Sequence, residues 1–166
     1  NFRTNRKIKI MAFYQFERTQ KVNASKEEVW DFISSPVNLK EITPAYMGFD
    51  IISKNPSQKM YEGILISYQV KPLLGIKTNW VTEITHINEG HYFIDEQRMG
   101  PYKMWHHQHF IEEISGGVLM KDIVSYIPPF GFLGAIANQL IIKSKLEQIF
   151  AFRKVALDKK YGVYNQ

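Results

Sequence analysis

Five polar side chains between Phe93 and Tyr126 have the types and spacing for chemistry: Asp95, Gln97, His107, His109 and Asp122. A histidine beside a carboxylate in a partly dry site can act as a general acid or base, or can orient the polar end of a ligand. His107 and His109 are two residues apart, so on a strand both imidazoles point the same way. The stretch reads FIDEQRMGPYKMWHHQHFIEEISGGVLMKDIVSY, with turn signals at Gly100-Pro101 and Ser115-Gly116-Gly117. Polar residues alternate with large apolar ones, which predicts three strands with all five polar side chains on one face.

The turns set a register. With Ser115-Gly116 as a two-residue loop, Ile114 pairs with Gly117, His109 faces Asp122, His107 faces Val124 and Trp105 faces Tyr126. With Gly100-Pro101-Tyr102 as a three-residue loop, Asp95 faces His107, Phe93 faces His109 and Gln97 faces Trp105. Two carboxylate–imidazole pairs follow, Asp95–His107 and His109–Asp122, their Cβ atoms about 5 Å apart. Such pairs satisfy one another and brace the sheet, so a structural or ligand-orienting role comes first and acid–base catalysis by His107, His109, Asp95 or Asp122 second. His107 and His109, with Asp95 or Asp122 as a third ligand, make a candidate metal set, but zinc needs three or four ligands in tight geometry and the chain carries no further ligand signature, so no metal is expected. Nucleophilic catalysis has no support, since there is no cysteine and no Gly-x-Ser-x-Gly elbow. No phosphate-binding glycine loop is present, and no cofactor is expected. The aromatic residues Tyr68, Trp80, Phe93, Trp105 and Tyr126, with Met120 and Gln97, complete a candidate ligand-binding set. Together they make a mostly apolar pocket with a few orienting groups.

The elements that position these residues are readable along the chain. Phe13 to Val22 reads as a first strand. Ser25 and Glu28 form a capping box ahead of a short helix whose apolar side is Val29, Trp30, Phe32 and Ile33. Pro36 opens a second short helix through Leu39 and Ile42. Strands follow at Phe49–Ser53, Met60–Val70 and Ile76–His86, then Asn88-Glu89-Gly90 turns the chain into the three-strand stretch. Pro128-Pro129-Phe130-Gly131 ends the sheet, and one long helix is expected from Phe132 to about Lys160. A curved sheet of this kind cannot touch a straight helix everywhere, which leaves room for a cavity between them.

At 166 residues, 45% hydrophobic and 14% aromatic, the chain is long enough for one domain with a substantial core. The net charge of +5 comes largely from Arg3, Arg6, Lys7 and Lys9; without these four of its 21 basic residues, 17 remain against 16 acidic ones. Residues 1–10 are expected to be an extension ahead of Met11. No basic stripe continues into the fold, so no nucleic-acid partner is expected. With no secretory signal and no apolar run of about 20 residues, a cytoplasmic protein is expected.

These features together resemble the SRPBCC superfamily, the START, Bet v 1 and polyketide-cyclase-like helix-grip domains, and within it the bacterial ligand-binding, cyclase/dehydrase-like members. The resemblance rests on Val29-Trp30-Asp31-Phe32, Trp80, Phe93-Ile94-Asp95 and Gln97, and Gly100-Pro101-Tyr102. It continues through Trp105-His106-His107-Gln108-His109-Phe110, Asp122 to Tyr126, Pro128-Pro129, Gly131-Phe132-Leu133-Gly134, Ile149-Phe150 and Arg153. It covers residues 11–161 and leaves 162–166 as a tail. It implies an α+β helix-grip fold: a curved antiparallel seven-stranded sheet wrapped around a long C-terminal helix, with two short helices after strand 1. It also implies a cavity for a small hydrophobic ligand, be it a lipid, an isoprenoid or an aromatic molecule. The alternatives it carries are a polyketide cyclase/dehydratase-like enzyme using a His–Asp pair, and a module touching a membrane surface through the apolar residues 129–136.

Overall fold

The first strand, β1 (Tyr14–Val22), alternates, burying Phe16 and Val22 and exposing the residues beside them. The computed structural model describes residues 13–54, 59–72, 75–129 and 141–165. The expected N-terminal extension and nearly all of the apolar stretch 129–136 lie outside these residues. Helix α1 (Lys26–Ile33) begins where the sequence places it. Ser25 Oγ accepts from the Glu28 amide, and Glu28 accepts from the Ser25 amide at 2.9 Å. Its apolar side, Val29, Trp30, Phe32 and Ile33, is buried. Two 3-10 turns follow, Pro36–Lys40 and Ala45–Met47.

The remaining strands are β2 (Asp50–Ile51), β3 (Leu65–Val70), β4 (Thr78–Asn88), β5 (Tyr92–Met99), β6 (Met104–Ile114) and β7 (Gly117–Ile127). They form one antiparallel sheet in the order β1-β7-β6-β5-β4-β3-β2. Successive hairpins place β2 to β7 side by side, and β1 closes against β7. Two strands are shorter than the sequence predicts. Gly63, at φ +87°, sits in a turn from Tyr61 to Ile64, so β3 starts only at Leu65. Ile52 and Ser53 both donate to Ser67 O, which takes the chain out of the β2 ladder. Register shifts between β4 and β5, at Val81/Thr82 and Ile84/His86, bend the sheet.

The C-terminal helix α2 (Lys143–Tyr161) buries Leu146, Phe150 and Leu157. The expected start of this helix, before residue 141, lies outside the described residues. Beyond α2 the chain docks back on the sheet: Tyr164 donates its hydroxyl to Ser115 O at 2.6 Å. The architecture is the helix-grip α+β fold expected from the sequence.

The core falls into two clusters. One gathers Trp30, Phe32, Ile33, Ile66, Ile84, Phe93, Met120 and Leu157, and the other Phe16, Met47, Phe49, Trp80, Tyr102, Tyr126, Leu146 and Phe150. A cavity of about 170 Å³ lies between sheet and helix and is walled by residues of both clusters. A bent sheet meets a straight helix over a limited area, and the remaining gap is this cavity.

Candidate functional site

The register in the β5–β6–β7 ribbon matches the one that the turns predict, except that the β5–β6 ladder ends at Glu96–His106 and does not reach the expected Gln97–Trp105 pair. Asp95 is opposite His107, Phe93 opposite His109, His109 opposite Asp122 and Trp105 opposite Tyr126. Period-2 alternation along β6 then sets His107 and His109 side by side, their ring centroids 3.7 Å apart. Asp95 flanks them from β5 and Asp122 from β7.

The contacts differ from the two separate pairs that the sequence predicts. Each imidazole spans both aspartates. His107 Nε2 lies 3.0 Å from Asp122 Oδ1, and His107 Nδ1 lies 3.5 Å from Asp95 Oδ2. His109 Nε2 lies 2.8 Å from Asp95 Oδ2, and His109 Nδ1 lies 2.9 Å from Asp122 Oδ1. The four residues therefore make one closed cluster. The long side chains lean along the strand, so directly opposed and diagonal neighbours are both in reach.

A fifth member comes from α2. Arg153 Nη1 donates to Asp122 Oδ1 at 3.0 Å, and its guanidinium lies 4.6 Å from the centre of the Phe150 ring. The sequence names Arg153 only among the residues that carry the resemblance, with no place at the site. One signal was available: Arg153 falls three residues after Phe150 and four before Leu157, which puts a charge on the buried stripe. Arg153 Nε is buried without a partner among the described residues.

Burial and pairing pull these groups apart electrically. Burial would raise the Asp122 carboxyl, but the Arg153 charge and the hydrogen bonds from His107 and His109 hold it well below the usual carboxylate range. Burial and the neighbouring His109 push the His107 imidazole down, against the pull of Asp122 and Asp95. Burial also acts to lower His109, yet its contacts with Asp122 and Asp95 outweigh that and raise it.

Of the candidate ligand-binding residues, Tyr68, Trp80, Phe93, Trp105, His107, His109 and Met120 line the cavity, as does Asp95. Asp122, Gln97 and Tyr126 do not line it. Asp122 sits behind the imidazoles. Gln97 braces the β5–β6 turn, donating to Tyr102 O at 2.7 Å and accepting from the Tyr102 amide at 3.2 Å. Tyr126 is buried against Tyr14 and Tyr102. The walls that the sequence did not single out include Tyr102, Thr82, Ile66, Leu146 and Phe150. Apart from Tyr102, which lies in the β5–β6 turn, their alternation or helical spacing marks them as core, and nothing local separates a core residue from a cavity wall. Trp80 stacks on Tyr68 at 6.0 Å and meets Trp105 edge-on at 5.3 Å, while Phe93 stacks on His109 at 4.1 Å. The Tyr68 hydroxyl is 2.9 Å from Thr82 Oγ1. Asp95, His107 and His109 each offer an atom able to bind a metal ion, all within 4.8 Å of one another.

No protein-family model matches the sequence, and no curated protein matches it either. Solved structures do match in shape. A START superfamily protein from Mycobacterium smegmatis is 13% identical with a TM-score of 0.61, over 88% of this chain and 98% of that one. Ara h 8.0201 is 16% identical with a TM-score of 0.57, over 89% of this chain and 99% of that one. Protein CV1439 from Chromobacterium violaceum is 12% identical with a TM-score of 0.67, over 90% and 99%. At these identities the likeness is one of fold, and it agrees with the strand order and the helix position described above. The chain has the helix-grip α+β fold, which it shares with a START superfamily protein and with Ara h 8.0201.

Proposed function

We propose that the chain binds a small hydrophobic ligand in the cavity between the sheet and α2, with the ligand's polar end at Asp95 and His109. The observation that carries this reading is the cavity: about 170 Å³, walled by Ile66, Tyr68, Trp80, Phe93, Trp105 and Phe150, with Asp95, His107, His109 and Arg153 among its polar lining. Its size favours one end of the range of lipid, isoprenoid and aromatic ligands. An apolar cavity of about 150 Å³ admits benzene, whereas pockets for drug-sized molecules begin at about 300 Å³. A single-ring aromatic or a short isoprenoid fits; a long acyl chain needs a wider cavity. Acid–base catalysis of the cyclase/dehydratase kind has less support. Both nitrogens of His107 and of His109 already face an aspartate, so either ring must give up a contact before it can reach a substrate.

Tryptophan fluorescence tests the reading, since Trp80 and Trp105 stand in the cavity wall. Titration with simple phenols is expected to give a saturable change, and a long-chain fatty acid a much weaker one. Ile66→Phe, which fills the cavity from β3, is expected to abolish the response while the protein stays folded. No saturable response to any ring compound, or a response that survives Ile66→Phe, overturns the proposal.

A further inference from the structure

We propose that Asp95, His107 and His109 form a binding site for a divalent first-row transition-metal ion, with Asp122 as the carboxylate that orients both imidazoles.

An ionised carboxylate only accepts. His107 Nε2 and His109 Nδ1, at 3.0 and 2.9 Å from Asp122 Oδ1, therefore carry the protons. A neutral imidazole with one N–H presents a lone pair at its other nitrogen. Those other nitrogens, His107 Nδ1 and His109 Nε2, both face Asp95 Oδ2, at 3.5 and 2.8 Å. With both rings neutral, three electron-donating atoms face one another, and one cation among them satisfies all three. A proton on one ring serves a single pair; a metal ion serves all three. The three atoms lie within 4.8 Å of one another; bonds of about 2.0–2.2 Å to a common ion need them within about 4.4 Å, so a small side-chain adjustment closes the site.

The surroundings fit the same reading. Metal-bound histidines usually donate their second N–H to a carboxylate, which fixes tautomer and ring orientation. Here Asp122 serves both rings and is itself held by Arg153 at 3.0 Å. Asp95, His107 and His109 line the cavity and Asp122 does not. The ion's remaining positions would therefore open onto the ligand space. Two imidazoles and one carboxylate select borderline ions such as zinc(II), cobalt(II) or iron(II) over magnesium and calcium. Among the described residues this is the single cluster of three or more such groups within reach of one ion. In the sequence only His107-x-His109 has ligand spacing, and the third ligand, Asp95, lies on another strand. The inference does not depend on the organic ligand proposed above, since the ion can be titrated with the cavity empty.

The test uses the full chain, stripped with a chelator and held above neutral pH. Cobalt(II) is followed by its visible ligand-field absorption and zinc(II) by calorimetry. One ion per chain is expected, with zinc displacing cobalt. Zinc-edge X-ray absorption of the unmodified protein is expected to show two imidazoles at about 2.0–2.1 Å. Asp122→Asn is expected to keep the stoichiometry and weaken binding about 10- to 100-fold. Asp95→Asn is expected to weaken it further, and His91→Gln, on the surface, to change nothing. Absence of stoichiometric binding, a spectrum without two imidazoles, or affinity unchanged in Asp95→Asn overturns the proposal and leaves a cluster closed by a proton. The X-ray spectrum decides even if a buried variant does not fold, and the phenol titration, run on the chelator-stripped protein, is read separately.

Discussion

Asp122 Oδ1 receives three contacts near 3 Å, from His107, His109 and Arg153, so the whole cluster turns on a single buried oxygen. Removing one partner of a buried ion pair typically costs about 3–5 kcal/mol, because the other charge is left uncompensated. Asp122 keeps two imidazole donors, so Arg153→Met is expected at the low end, about 3 kcal/mol by urea denaturation. A variant as stable as the parent would show that the guanidinium is not the counter-charge. The pH dependence of the metal-free protein follows from the three shifts. Asp122 is held below its ordinary 3.8, so its stabilisation is present above that value and is lost as pH falls further. His107 is depressed below 6.5, so stability declines as pH falls from there, where the unfolded chain binds the proton first. His109 is raised above 6.5, so its contribution is complete below 6.5 and is lost as pH rises through its folded value. His109→Gln is therefore expected to flatten the alkaline decline and, because His109 is one cause of the His107 and Asp122 shifts, to change the acid one less. Urea midpoints across the neutral range check this, and an alkaline limb identical in both proteins would sink it.

At the scale of elements, the β6–β7 hairpin delivers the site, since its register sets which side chains share the inner face. The hairpin is held on both sides, by β5 and by β1. Gly117 opens β7, where a Cβ would collide with the backbone carbonyl of Val22 on β1. Backbone on a paired strand cannot move aside as a flexible side chain can. Gly117→Ala is expected to cost about 1–3 kcal/mol, the range for overpacking. Thermal unfolding measures it, and a loss below experimental error would mean that β1 is free to shift. The helix α2 contributes differently. Leu146, Phe150 and Leu157 anchor it, and the same stripe carries Arg153 onto Asp122.

For the whole molecule, the division of the core into two clusters is the feature with most consequence. Met120 belongs to the cluster packed on α1, is 3% exposed, and also lines the cavity. Met120→Ala is expected to destabilise the unliganded protein by about 2–5 kcal/mol, as large-to-small core changes do. Because the deleted atoms border existing space, the same change enlarges the cavity. The preferred ligand is expected to shift from single-ring to two-ring aromatics, read as a larger rise in melting temperature with the bulkier compound. An unchanged size preference would place the ligand elsewhere. No helix among the described residues is long and apolar enough to cross a membrane.

Much of the fold was legible before any coordinates. Ser25 and Glu28 mark the start of α1, and the Gly100-Pro101 and Ser115-Gly116 turns set the β5–β6–β7 register, because turn length and period-2 alternation are local properties of the chain. The face shared by Asp95, His107, His109 and Asp122 followed from that register. Which nitrogen meets which carboxylate did not, since strand pairing fixes Cα positions and leaves the side-chain torsions to packing. Arg153 reaches Asp122 across 31 residues only after α2 has docked. Cavity volume likewise depends on how far the bent sheet stands from the helix, a distance set by all the contacts of both core clusters together. Local pattern therefore determined the elements and their inner face, while the docking of α2 on the curved sheet determined the charge state of the cluster and the space in front of it.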